Sequence, residues 1–173
     1  MIWSPGNTMA KFFALFIVIQ LVLFTAELTP PAQEHFVVPF TEAIADISVR
    51  LVTLFDERVV AAGKVIRSLD NGFAVSIEAG CNGVEAAIVL IAGILALPAP
   101  WKRKIVAIVL GFLAIQVMNI ARIISLFYLG QWNLDVFTWT HLYLWPVLIM
   151  LDVLVVFIVY LRYLGGPADA VPA

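Results

Sequence analysis

A chain of 173 residues that is 63% apolar and only 13% charged, with a mean hydropathy of +1.03, is not a soluble globular domain, which would be about a quarter charged. A net charge of −2 argues against nucleic-acid binding, and a single cysteine excludes an internal disulfide or a thiolate-rich zinc site. The composition reads as an all-α integral membrane protein, one membrane domain over residues 1–173 with about four transmembrane helices.

Phe12 to Ala26 is a continuous apolar run broken only by Gln20, preceded by Lys11 and closed by Glu27 and Pro30-Pro31. It makes a short first span, taken as 12–27. A signal-peptide core has a similar length and one basic residue before it. Phe24 is a poor residue three before a cut after Ala26, so an uncleaved helix is expected.

Between Glu34 and Ala62 the texture changes. Phe40, Ile44, Ile47, Leu51, Leu54 and Phe55 recur at three- and four-residue spacing, with Glu42, Asp46, Arg50 and Glu57 between them. This predicts an amphipathic helix that does not span, lying on the membrane surface or packed on the rest of the protein. Lys64 to Ile77 reads as extended: Val65-Ile66, then Asp70-Asn71-Gly72, then Phe73, Val75 and Ile77 alternating with smaller or polar residues. Asn-Gly between two such runs predicts a small β-hairpin.

The hairpin delivers the chain into Glu78-Ala79-Gly80-Cys81-Asn82-Gly83, which holds the only cysteine. Glycines on either side give a partner access to the backbone, and a helix N-terminus favours thiolate over thiol. The bland alternative is that a lone cysteine is a small buried hydrophobe.

A second span is read over 83–98, with Glu85 in its first turn, followed by the basic cluster Lys102-Arg103-Lys104. A third span covers 105–129. After a polar link, a fourth covers 142–164 with Arg162 near its end, and the tail from Gly165 is expected to be disordered. Placing Lys11, Lys102–Lys104 and Arg162 in the cytoplasm satisfies the positive-inside rule at every turn. Both termini are then cytoplasmic, and the segment 28–82, with Cys81, is extracytoplasmic.

Ionisable groups inside spans point to function. Arg122 belongs to a stripe of Gln116, Asn119, Arg122 and Ser125, each three apart. The stripe turns it toward the bundle, with Asn119 as the neighbour that fixes the guanidinium; the alternative is a cation snorkelling to the headgroups. His141 opens the fourth span beside Trp139, Tyr143 and Trp145, where an aromatic belt is the ordinary reading. Taken together, three helices bring a thiol, a cation and a titratable base to one leaflet, which is what thiol acyl transfer needs. Asp152 lies about 16 Å along the axis from His141. It cannot orient that histidine, so pairing with Arg122 or Asn119 in a structural role is expected.

With Glu78 to Gly83, then Asn119-Ile120-Ala121-Arg122, then His141, the chain resembles the exosortase/archaeosortase family over roughly residues 40 to 164. The order Cys81, Arg122, His141 looks like the family's catalytic triad, and Asn82-Gly83 fits the residues expected after its cysteine. Many members carry more spans than the four read here, so the chain looks like the compact exosortase H subgroup. The resemblance implies a membrane-embedded cysteine protease or transpeptidase of the bacterial inner membrane, needing no cofactor. Its substrates would be exported proteins with a C-terminal sorting signal (a short motif, a transmembrane helix and a basic tail), cleaved through a thioacyl enzyme and released to an unknown acceptor nucleophile or water. Two readings from other classes stand beside it. One is a small transporter or assembly subunit with an intramembrane Arg122/Asp152 pair. The other is a haem-binding subunit, disfavoured by only two histidines.

Overall fold

The computed structural model describes residues 5–164, and the side chains of 9–164; the tail from Gly165 lies outside them. Helix α1 (Pro5–Glu27) comes first, followed by a helical turn α2 (Pro30–Ala32), a π-helical turn (Gln33–Val37) and α3 (Val38–Val52). Three strands follow: β1 (Val59–Ala62), β2 (Val65–Ser68) and β3 (Ala74–Ser76). The chain ends in α4 (Val84–Ala96), α5 (Trp101–Trp132), α6 (Leu134–Trp139), a second π-helical turn (Thr140–Leu144) and α7 (Trp145–Leu164).

Met9–Glu27, Trp101–Trp132 and Leu134–Leu164 are each long and apolar enough to cross a membrane. The helix expected over 83–98 is shorter: α4 has 13 residues and a rise of about 20 Å. Proline explains its end, since Pro98 and Pro100 supply no backbone N–H and hold the chain extended. This short helix sits in the middle of the bundle, packed on α1, α5 and α7. Its Ala86, Leu90 and Ile94 are buried with Ile115 of α5 and Ile149, Val153 and Tyr160 of α7. Gly111 of α5 gives the room for this packing, because a Cβ there would run into Leu90 and Val156.

Helix α3 is shorter than the amphipathic segment read from 34 to 62, and it presents two faces. Thr41, Ile44, Ala45, Ser48 and Val52 are buried against the sheet and α5. On the other face Ile47 and Leu51 are exposed, as are Leu54 and Phe55 just beyond the helix, all four part of the hydrophobic periodicity. The small side chains Ala45 and Ser48, both at 0% exposure, let the helix approach closely on the packed side.

The hairpin expected around Asn71-Gly72 is present between β2 and β3, with Gly72 at φ +73 and Asn71 Oδ1 accepting from the Phe73 N–H at 2.9 Å. A third strand was not anticipated. Residues 59–62, read as the end of the amphipathic helix, instead form β1, antiparallel to β2 with Val59 opposite Ser68 and Ala62 opposite Val65. Val59-Val60 favours strand, and Gly63 at φ +58 turns the chain back. Val59, Ile66 and Ile77 cover the C-terminal half of α5 at Ile123 and Phe127. Further along, the Phe73 ring lies against Phe127, with centroids 6.1 Å apart, and over Gly130, where a Cβ would strike it. Helix α5, about 48 Å long, therefore carries the bundle at one end and the sheet at the other.

Candidate active site

The turn between β3 and α4 carries Cys81. Its N–H donates to the Glu78 carbonyl at 2.9 Å, closing the turn. Gly80, at φ +81, takes a left-handed conformation that a side chain disfavours. This glycine is held from both sides. Its N–H donates to the Glu85 carboxylate, and its carbonyl accepts from Arg122 Nη1 at 3.2 Å. The other terminal nitrogen, Nη2, reaches Cys81 Sγ at 3.4 Å.

Asn82 is only 1% exposed and anchors the turn. Its Oδ1 accepts from the Val84 N–H at 3.0 Å, satisfying a donor of the first turn of α4, and its Nδ2 donates to Thr41 Oγ1 at 3.1 Å. The turn is thereby tied to α3. Gly83, at φ +80, precedes α4; a Cβ there would stand 2.8 Å from Gln116 Nε2 and 3.4 Å from Asn119 Cγ. Both the dihedral and the close approach of α5 require glycine.

His141 projects from the π-helical turn between α6 and α7. Such turns insert an extra residue into the helix and re-aim its side chains. The imidazole stacks on Phe137, with centroids 5.7 Å apart and planes 4° from parallel, and its Nδ1 is buried without a hydrogen bond. Glu78, Cys81, Arg122, Leu126, Phe137 and His141 line one cavity of about 150 Å³. The thiol, the guanidinium and the imidazole are thus brought to one space by three different segments.

Electrostatics at the sulfur oppose one another. Burial pushes the Cys81 thiol above its ordinary range, Arg122 pulls it down, and Glu85 and Glu78 push it up. Burial is the largest of these influences, so the net direction is upward, toward the thiol and against the pull of a helix N-terminus. Glu78 itself is held below the usual carboxylate range by its hydrogen bond from Lys64, 2.5 Å away, and by another from Ser76.

Other expected site residues are placed differently. Asn119 is fully buried, but neither its Oδ1 nor its Nδ2 has a hydrogen bond, so it does not fix the Arg122 guanidinium. It packs on Gly83 instead. Asp152 makes no ion pair with Arg122, and its Oδ2 is buried without a partner. The transporter reading loses the pair it was built on. Glu85 and Thr41 are the supporting residues that sequence reasoning missed. Glu85 was visible only as an acid in a first helical turn, and the spacing between Thr41 and Asn82 carries no signal. Among the described residues, no group of three or more His, Cys, Asp or Glu side chains could hold a metal ion.

A family model described as transmembrane exosortase matches residues 3–162. Comparison with curated proteins and with solved structures returns no match. With nearly the whole chain covered, and with cysteine, arginine and histidine gathered at one cavity, the protein belongs to the transmembrane exosortase family.

Proposed function

We propose that the protein is a membrane cysteine peptidase or transpeptidase that cuts exported proteins at a C-terminal sorting signal, with Cys81 as nucleophile, Arg122 as the stabilising cation and His141 as general acid and base. The observation that carries this reading is the meeting of Cys81, Arg122 and His141 at one cavity, with Arg122 Nη2 on the sulfur.

The chemistry follows from the resting thiol. A sulfur that burial keeps protonated needs a base at the moment of attack. His141 takes the proton as Sγ bonds to the scissile carbonyl carbon, and Arg122 stabilises the negative charge on sulfur and then on the tetrahedral oxygen. His141 returns the proton to the departing amine as the C–N bond breaks, leaving a thioester on Cys81. An acceptor hydroxyl, amine or water then attacks the thioester and gives its proton to His141, the C–S bond breaks to release the thiolate beside Arg122, and His141 passes the proton to the sulfur to restore the thiol. Substrate would enter from the bilayer, with the site on the extracytoplasmic side of a bacterial inner membrane and both termini cytoplasmic. The placement of Lys11, Lys102–Lys104 and Arg162 supports that orientation.

The test is processing of a co-expressed exported reporter that carries a sorting-signal tail from the same genome. Removal of the tail by wild type and retention with Cys81→Ala is the expected result. Equal cleavage in both strains rules out Cys81 as nucleophile.

A further inference from the structure

A large cavity lies at the opposite end of α4 from Cys81. It has a volume of about 590 Å³, within the range of small-molecule sites, and is walled by Phe12, Leu15, Leu97, Phe157 and Leu161, with Lys11 and Lys104 also on its lining. A second apolar cavity of about 320 Å³ shares Phe12 and Phe157 and continues along α4 past Gly93 and Val89. Together they form a groove between α1 and α7, floored by α4 and closed at its end by cations.

Lys104 is the anomaly. It is 93% buried, being 7% exposed. Its Nζ donates to the Leu95 carbonyl at 2.8 Å and lies 5.2 Å from the centre of the Trp101 ring. No described carboxylate lies within 4.0 Å of it. The negative pole of α4 offsets only about half a charge, and an ammonium has three donors, of which Leu95 takes one. Residues 86–118 and 153–164, the parts of α4, α5 and α7 around Lys104, contain no Asp or Glu. An uncompensated charge is costly in a low-dielectric setting. What fits is a ligand with one anionic group and a long apolar body.

We propose that this groove is a binding site for an anionic membrane phospholipid, its phosphate at Lys104 and Lys11 and an acyl chain along Phe12 and Phe157. The same cations disfavour the other candidate occupant, a membrane helix with a basic tail, which would bring like charge to the closed end.

The test uses the full-length protein purified in detergent and native mass spectrometry, with dioleoyl phosphatidylglycerol and dioleoyl phosphatidylcholine as probes. Wild type is expected to retain the anionic lipid about tenfold better than the zwitterionic one. That preference should vanish in Lys104→Gln and weaken in Lys11→Gln. It should persist in Lys104→Arg, which also controls for folding, and in Lys64→Gln, which removes a cation at the opposite end. Equal retention of the two lipids by wild type overturns the proposal, as does an unchanged preference in a folded Lys104→Gln. So does displacement of bound phosphatidylglycerol by a synthetic hydrophobic helix with a basic tail but not by the same helix with a neutral one.

Discussion

Arg122 and Cys81 meet across 41 residues of chain, with one guanidinium nitrogen 3.4 Å from the sulfur and the other 3.2 Å from the Gly80 carbonyl. The cation that faces the thiol therefore also fixes the backbone leading into it. Removing Arg122 disturbs both charge and geometry, and the two effects separate experimentally.

The charge effect is read from the pH dependence of Cys81 alkylation in purified protein. Arg122 favours the thiolate, so Arg122→Ala is expected to move the midpoint to higher pH than wild type. Glu85 disfavours it, so Glu85→Gln should move the midpoint the other way, while an amide oxygen can still accept from the Gly80 N–H. Midpoints that stay together in all three proteins would mean that neither charge is felt at the sulfur.

The two glycines of the turn predict unequal costs. At Gly80 an added Cβ meets nothing within 4 Å, so Gly80→Ala should cost only the left-handed backbone, about 1–2 kcal/mol. Gly83→Ala carries the same dihedral penalty and also drives a methyl into Gln116. It should unfold at a lower temperature than Gly80→Ala, and Gly83→Ala/Gln116→Ala should recover part of the difference. Equal melting of the two single variants in detergent would show that α5 yields freely at Gln116.

Asn82 ties the cysteine turn to α3, and Asn82→Ala leaves the partly buried Val84 N–H without its acceptor. A loss of about 1–3 kcal/mol is expected in chemical denaturation. A double-mutant cycle with Thr41→Val should give a coupling of about 0.5–3 kcal/mol. No coupling would place the anchoring of the turn elsewhere.

His141→Ala is expected to slow reporter processing by about 10²–10⁴-fold, the usual worth of a positioned acid–base group. Phe137→Ala removes the ring stacked on the imidazole, a contact worth about 0.5–1.5 kcal/mol, and should slow processing by about tenfold or less. Processing by Phe137→Ala as poor as by His141→Ala would recast the histidine's role as packing.

Much of this arrangement is legible in the sequence. Hydropathy reveals the long helices because lipid demands continuous apolar runs, and Asn71-Gly72 reveals a turn because few other pairs take its dihedrals easily. Cys81, Arg122 and His141 stand out as reactive groups in an apolar chain. What is not legible depends on contacts between distant residues. The strand at Val59–Ala62 is defined by its partner β2, and four residues are too few for a period to declare itself. Asn119 and Arg122 share a helix stripe, which cannot tell that Asn119 meets Gly83 and not the guanidinium. The depth of burial at Cys81, which reverses the expected effect of a helix N-terminus, comes from packing by Ile77 and Ile123 and their neighbours, long-range contacts with no local signature.

The brevity of α4 sets a depth. A hydrocarbon core is about 30 Å thick and α4 rises about 20 Å, so in the proposed orientation, with the lysines at one boundary, Cys81 would stand about 10 Å short of the other. Polar backbone at that level must be satisfied by protein, and Glu85, Arg122 and Asn82 do so around the turn. Helix α4 therefore acts as a ruler. On the proposed function, a peptide bond at the end of a spanning substrate segment would be reached by its distance from the far boundary, without first being drawn out of the lipid.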